Sequence, residues 1–172
     1  MYIAQITIEN FSNFKKTEIE FNDGVNVIIG ANNAGKTNLI KALSMPIDCQ
    51  GSKRLGIDDF NKYISFEELK DSPPKISIAI TIKQGKNEEV DDLVTVGNWL
   101  TKLDTSYEAL LTYEFFLPEK EKDKYLQAIA EISDTDLKAV DKILKILKND
   151  FIRLFTYKIW GGKVENQTIA DT

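Results

Sequence analysis

Alternation between apolar and polar side chains indicates that the first part of the chain is rich in strands. Residues 2–8 place every second side chain on one apolar face, which is the period of a half-buried strand. Residues 17–21 repeat that pattern, and Asn22-Asp23-Gly24 follows as a turn signal. Residues 25–29 are largely apolar on both faces. They predict a strand buried on two sides, as in a parallel or mixed sheet.

A helix is predicted soon after this apolar run. Residues 35–44 bring three aliphatic side chains onto one face, and Pro46 is expected to end the helix. Residues 48–74 show no period and are expected to be irregular. Residues 76–82 alternate isoleucine with polar or small side chains, which is the clearest strand pattern in the sequence.

The second half of the chain predicts a mixture of helices and strands. Aliphatic residues recur there at helical spacing in three stretches, and two shorter stretches suit strands. Ser133 and Asp136 resemble a capping pair at the start of the last helix. The predicted elements are a helix over 88–103, a strand over 110–117, helices over 119–132 and 136–148, and a strand over 151–160.

The composition is that of an ordinary globular protein and excludes several kinds of function. The 172 residues suffice for one domain with a sizeable core. There is no histidine, which excludes catalysis and zinc binding by histidine within the chain. The net charge of −5 gives no sign of a basic nucleic-acid-binding face. Since Cys49 is the only cysteine and no apolar run could span a bilayer, we expect a cytoplasmic protein that does not contact membranes.

One short segment carries a recognisable chemical pattern. Residues 30–37, Gly-Ala-Asn-Asn-Ala-Gly-Lys-Thr, match G-x-x-x-x-G-K-[ST] at every fixed position. The segment follows an apolar run and opens an amphipathic helix, which is the context that this phosphate-binding loop requires. Small residues let backbone N–H groups curl around an oxyanion, and the start of the helix adds further N–H groups and a positive dipole end.

Each residue type in the loop suits the binding of ATP with Mg²⁺. Lys36 can reach the terminal phosphates, and the Thr37 hydroxyl can bind Mg²⁺. Asn32 and Asn33 tolerate unusual backbone angles, and Asn33 is a candidate to face the γ-phosphate. No catalytic residue is assigned in this chain. The predicted nucleotide-binding residues are Gly30, Ala31, Asn32, Asn33, Ala34, Gly35, Lys36, Thr37 and Asn38, with Thr37 as the metal ligand.

The opening of the chain resembles the N-terminal lobe of ABC-type ATPases of the RecF and SMC group. It is most similar to the overcoming-lysogenization-defect (OLD) family of ATP-dependent endonucleases, including the ATPase-nuclease subunits of Gabija-type phage defence. The resemblance rests on residues 9–14, Glu-Asn-Phe-Ser-Asn-Phe, and on residues 30–38. A weaker likeness covers residues 56–63, Gly-Ile-Asp-Asp-Phe-Asn-Lys-Tyr. The strong part spans about the first quarter of the chain.

The chain departs from the family pattern in several ways. Ser12 stands where the family usually has arginine, so any contact of that arginine is in doubt here. The resemblance implies a later apolar strand ending in Asp-Glu and a Ser-Gly-Gly signature loop, and neither occurs in this sequence. The acidic nuclease cluster of the family is also missing. We therefore expect an N-terminal fragment of a longer protein, with a naturally short protein as the alternative.

Several other residues could carry function, but structural roles are favoured for them. Lys15 and Lys16 could touch nucleotide or DNA, although exposed lysines usually only face solvent. Asp58 and Asp59 could bind a metal ion, although a capped turn is the favoured interpretation. Trp99, Trp160 and the amphipathic helices of the second half are expected to serve packing.

The resemblance implies an α/β fold of the P-loop NTPase type. A mixed sheet would carry the phosphate loop, and an antiparallel sub-sheet with inserted helices would pack beside it. We expect residues 1–172 to form one partial ABC-type ATPase domain. Its P-loop region would cover residues 1–46, and its strand-and-helix sublobe about 74–162.

The expected function is binding of ATP and Mg²⁺. In a longer parent protein, as the resemblance implies, ATP-driven homodimerisation would control cleavage or repair of DNA, with phage defence as one such role. The alternative is a nucleotide-binding scaffold or dimerisation module without hydrolysis. A GTPase is disfavoured because residues 61–64, Asn-Lys-Tyr-Ile, lack the aspartate of a base-reading motif. A small-molecule kinase is disfavoured because Arg54 and Arg153 are the only arginines available to clamp a phosphate.

Overall fold

The computed structural model describes the chain except for residues 32–33, 49–50, 52, 87–89, 134, 136–137 and 163–172. It is an α/β structure in which helices pack on one six-stranded sheet, as expected for the fold class. Every pairing between the named strands is antiparallel. The strands are β1 (Tyr2–Phe11), β2 (Phe14–Glu20), β3 (Ile76–Lys83), β4 (Leu100–Leu103), β5 (Tyr107–Phe116) and β6 (Thr156–Gly161).

The sheet runs in the order β2-β1-β3-β5-β4, so strands from both halves of the chain share it. β1 lies between its hairpin partner β2 and the distant strand β3, where Ile8 pairs with Ile78. Two strands share the outer edge of β5. β4 pairs with its first residues, and β6 pairs with the rest up to Phe116.

In the part of the chain that the structure describes, five helices connect or cover these strands. α1 follows the phosphate-loop segment, α2 precedes β3, and α4 and α5 lie between β5 and β6. Short 3-10 turns occupy residues 57–59 and 97–99, and a π-helical turn follows α5 at residues 147–151. The bounds are α1 (Lys36–Ile47), α2 (Phe66–Asp71), α3 (Val90–Val96), α4 (Glu119–Ile129) and α5 (Ala139–Ile146).

The core lies on one face of the sheet, against the helices. β3 buries every second residue, as its sequence pattern predicted, and Ile76, Ile78 and Ile80 are fully buried. Tyr125 of α4 is also fully buried, and its hydroxyl donates to the Leu69 carbonyl oxygen at 2.7 Å. This bond ties α4 to α2 and satisfies a polar atom that burial would otherwise leave unpaired.

Pro46 does not end the first helix where the sequence suggested. α1 continues to Ile47, with Pro46 inside its last turn, and the Asp48 N–H donates to the Ser44 carbonyl at 2.8 Å. Proline has no N–H donor, so it removes one bond within the helix, and here this loss falls in the last turn. The Pro46 side chain is buried.

Three other predicted elements differ in extent. The helix predicted over 88–103 is shorter, because α3 ends at Val96 and residues 100–103 join the sheet as β4. The last strand begins at Thr156 instead of residue 151, since the π-helical turn runs to Phe151. α5 begins at Ala139. The proposed capping residue Asp136 lies outside the described residues.

The predicted strand over residues 25–29 is absent, and this is the main correction to the sequence-based fold. Those residues pair with no other strand in the described part of the chain. Val25, Val27 and Ile29 are 93%, 77% and 90% exposed, and Ile28 is 39% exposed. A strand that is apolar on both faces is stable only between neighbouring strands. No described strand lies alongside this run, so its apolar residues stay in solvent.

Replacing Ile78 with alanine should destabilise the fold by about 2–5 kcal/mol, because it removes a fully buried side chain at the centre of the sheet. Ile40→Ala is a matched control, since Ile40 lies on α1 and is 57% exposed. The control should change the free energy of unfolding by less than about 0.5 kcal/mol. Urea unfolding followed by circular dichroism measures both values, and equal losses would contradict the assigned core.

Candidate functional site

The described part of the phosphate-loop segment is curled on itself and held by its own lysine. Lys36 Nζ donates to the carbonyl oxygen of Gly30 at 2.5 Å and to that of Ala31 at 2.7 Å. The Ala34 N–H donates to the Ala31 carbonyl at 3.2 Å. The carbonyls at the start of the loop therefore turn toward the lysine at its end. Asn32 and Asn33 lie outside the described residues.

Gly35 provides the sharp change of direction between this loop and α1. Its φ of 92° lies in the left-handed region, and the next residue begins the right-handed helix. A left-handed residue followed by a right-handed one directs successive N–H groups to one side, which forms a small anion-binding concavity. This backbone conformation favours glycine, and a side chain at Gly35 would also displace the amide of Asn13.

The start of α1 presents unpaired donors and no negative charge. The first bond across the helix start runs from the Leu39 N–H to the Gly35 carbonyl at 2.9 Å. The N–H groups of residues 36–38 therefore have no acceptor within the helix. No side chain caps this end, and the first turn contains no acidic residue. The positive end of the helix dipole is thus available to an anion.

The side chains after the lysine have different environments. Thr37 is exposed, so its hydroxyl is accessible from solvent. Asn38 is half-buried, and its Nδ2 donates to Asn13 Oδ1 in the turn between β1 and β2 at 2.9 Å. Thr37 can therefore reach a bound ion, whereas the structure gives Asn38 a contact within the protein.

Asp59 has a structural role, as the sequence suggested for this acidic pair. Its carboxylate accepts from the Gly56 N–H at 2.9 Å and forms an ion pair with Lys41 of α1 at 2.6 Å. Asp58 is exposed. Among the described residues, no group of three or more acidic or cysteine side chains is placed to hold a metal ion.

The two lysines next to the β1–β2 turn face acidic neighbours. Lys16 lies 3.2 Å from Glu9, and Lys15 lies 3.3 Å from Glu68. The Ser65 N–H donates to the Glu68 carboxylate, and together with Lys15 it lowers the pKa of that group. These are exposed surface pairs, and such pairs contribute little to the stability of a fold. No ligand is assigned to either lysine.

The two tryptophans lie next to β6 or within it. Trp99 packs against Gly161 of β6 and borders the core, which confirms a packing role. Trp160 is partly buried in β6, with Lys158 Nζ 5.3 Å from its ring centre. Cys49 lies outside the described residues.

Sequence reasoning missed Asn13, which lies beside the loop, and Asn61, which bonds to the turn that contains Asn13. Asn13 contacts both Gly35 and Asn38, and Asn61 is 3% exposed with its side chain bonded to backbone atoms. The available signal was the density of asparagine in residues 10–13 and at residue 61, because asparagine often bonds to local backbone in tight turns. Only the fold shows that the turn containing Asn13 lies next to the phosphate-loop segment and that Asn61 bonds to this turn.

The described helices include none that is both long and apolar enough to cross a membrane. The longest of them, α1, has 12 residues.

Two curated relatives are similar to part of the chain. DNA replication and repair protein RecF of Caldanaerobacter subterraneus subsp. tengcongensis is 43% identical over 65 residues, which cover 36% of this chain and 18% of the relative. The RecF protein of Bacillus thuringiensis is 51% identical over 43 residues, which cover 25% of this chain and 12% of the relative. The chain thus matches only a small share of the length of these curated relatives.

A solved structure is also similar. It comes from work on the structural biochemistry of ATP-driven dimerization and DNA stimulated activation of SMC ATPases. The alignment covers 84% of this chain and 92% of that chain, with 17% sequence identity and a TM-score of 0.41.

A family match covers nearly the whole sequence. The family described as AAA ATPase domain matches residues 1–166, which includes the phosphate-loop segment and all six strands of the sheet. The chain therefore belongs to the AAA ATPase domain family.

Proposed function

We propose that residues 30–38 bind ATP together with Mg²⁺. One observation carries this proposal: Lys36 closes the loop onto its first two carbonyls, directly before a helix start with unpaired donors and no acidic residue. A triphosphate needs a concave set of donors and positive charge, and this segment supplies both. Membership of the AAA ATPase domain family supports the same conclusion.

The residues of the loop take separate roles in this proposal. Backbone N–H groups of residues 30–36 hold the β-phosphate, and Lys36 neutralises charge between the β- and γ-phosphates. Thr37 binds Mg²⁺ through its hydroxyl, which is exposed. Asn33 faces the γ-phosphate, although it lies outside the described residues. Asn38 supports the site from within the protein through its bond to Asn13.

We further propose that the chain acts as the N-terminal part of a longer ATPase. The exposed apolar run at residues 25–29 supports this, because a strand with two apolar faces needs neighbouring strands that the described residues do not supply. The RecF relatives, of which the chain matches only a small share, support it too. In such a parent, a later strand ending in Asp-Glu would support Mg²⁺ and activate water, and ATP-driven pairing of two subunits would place the signature loop of one subunit over the nucleotide of the other.

The biological role proposed for that parent is control of DNA cleavage or repair. The support is the similarity to proteins named for DNA replication and repair, together with the OLD-type pattern at residues 9–14 and 30–38. Phage defence is the narrower form of this proposal. The second candidate function is a scaffold that binds nucleotide and dimerises without turnover. The lack of an Asp-Glu strand in the sequence favours it for this chain alone.

Lys36→Ala should weaken ATP binding by about tenfold or more, because it removes the charge that faces the phosphates. Lys102→Ala is the matched control, since the Lys102 side chain of β4 is 58% exposed and pairs with Asp104. Titration calorimetry with ATP and Mg²⁺ measures the dissociation constants. Circular dichroism checks that both variants fold, and unchanged affinity in Lys36→Ala would refute the site.

Thr37→Ala should abolish most of the difference in ATP affinity between solutions with and without Mg²⁺, because the ion loses its protein ligand. Thr37→Ser keeps the hydroxyl and should keep the Mg²⁺ effect. Thr105→Ala, on an exposed loop, is the control for removal of a threonine elsewhere. A Mg²⁺ effect of wild-type size in Thr37→Ala would show that another group binds the ion.

The chain alone should bind ATP without hydrolysing it, because its sequence has no apolar strand ending in Asp-Glu that could activate water. A phosphate-release assay with the wild-type chain and with Lys36→Ala tests this. We expect equal rates for the two proteins. Turnover that depends on Lys36 would instead mean that this chain contains a complete active site.

A further inference from the structure

The turn from β1 into β2 contains backbone conformations that residues other than glycine rarely adopt. Asn10 has φ of 56° and Ser12 has φ of 53°, both in the left-handed region. Residues other than glycine remain there when surrounding contacts hold them, and such positions occur often at functional sites. These two residues lie one on each side of Phe11, which is fully buried.

A second segment, residues 56–61, holds this turn in place. We call it the bracing segment. The Ser12 N–H donates to the Asp59 carbonyl at 2.7 Å, and the Asn61 N–H donates to the Asn10 carbonyl at 2.9 Å. Asn61 Nδ2 also donates to the Ser12 carbonyl at 3.0 Å. Asn61 is almost fully buried, so its bonds to the turn are partly shielded from water and help to hold the turn.

The turn and the bracing segment contact α1 at two places on one face. Asn38 Nδ2 donates to Asn13 Oδ1 at 2.9 Å, and Lys41 Nζ lies 2.6 Å from Asp59 Oδ1. Asn38 and Lys41 are three residues apart, so they are neighbours on the helix surface. The first turns of α1 are therefore attached to the β1–β2 turn and to the bracing segment, which hydrogen bonds join to each other.

Asn13, in the β1–β2 turn, also contacts the phosphate loop itself. Its amide occupies the space that a side chain on Gly35 would need. Gly35 is the left-handed residue that aims the N–H groups between the loop and α1. The Asn13 amide thus packs on the residue that sets the direction of the loop and bonds to a residue one helical turn later.

We propose that Asn13 is a positioning residue for the phosphate loop: it fixes Gly35 and the start of α1 through its contact and its bond to Asn38. The proposal rests on the proposed nucleotide binding for its effect on affinity. Its effect on the loop itself does not depend on a ligand. Without Asn13, the loop and the start of α1 sample other orientations, and the N–H groups must be ordered when a nucleotide binds.

The test compares Asn13→Ala with Asn38→Ala, which breaks the same bond from the helix side. Asn13→Asp keeps the size of the side chain and an oxygen that can accept from Asn38 Nδ2. Asn98→Ala is the control, because Asn98 is exposed on a distant turn. Asn13 is itself exposed, so its removal should leave the melting temperature close to that of the wild type.

The first measurement is hydrogen exchange, without nucleotide, of peptides that report on residues 39–42, because the bonded amides at the start of α1 begin with Leu39. Asn13→Ala and Asn38→Ala should exchange faster than wild type, while Asn13→Asp and Asn98→Ala should match it. Faster exchange confined to the two alanine variants would support the positioning role. Equal exchange in all five proteins would overturn it, whatever the protein binds.

The second measurement is ATP affinity in the presence of Mg²⁺. Asn13→Ala and Asn38→Ala should each bind about tenfold more weakly, the usual size of a supporting-residue effect. The double variant should bind no more weakly than Asn13→Ala, because Asn38→Ala removes only the bond that Asn13→Ala also removes. Wild-type affinity in both single variants would overturn the proposal. No binding by the wild type would instead refute the proposed function, and hydrogen exchange would still decide the role of Asn13.

Discussion

The antiparallel pairing of β1 with β3 is the interaction on which the rest of the structure depends. It joins the N-terminal hairpin to a strand far along the chain, with fully buried isoleucines on both strands. Because β1 is held on both sides, its end at Phe11 has a fixed place, where it forms a bridge with Phe60. The turn after Phe11 therefore meets α1 at a defined point.

Charge and geometry at the start of α1 favour an anion. The loop is closed by Lys36, the helix begins without an acidic residue, and the carboxylate of Asp59 is paired with Lys41 further along the helix. A single ammonium and a set of backbone donors suit the terminal phosphates of a nucleotide better than a neutral ligand. The geometry thus agrees with membership of the AAA ATPase domain family.

The apolar residues directly before the loop are unfavourably exposed to solvent. Residues 25–29 combine a strong strand pattern with wide exposure to solvent, which is unfavourable in water. The side chain of Asn26 accepts from the Asn22 N–H and donates to the Asn22 carbonyl, so the turn before the run is ordered even though the run has no partner strand among the described residues.

The sequence by itself determined the elements whose signals are local. The alternation in residues 76–82 gave β3, the pattern of residues 30–37 located the loop, and the period of residues 119–132 gave α4, because these patterns depend on near neighbours. The tertiary structure alone decided the rest. Residues 25–29 stay exposed and residues 100–103 become β4, since strand formation depends on which partners are present. The meeting of Asn13 with Gly35 likewise follows from sheet order, which no local pattern encodes.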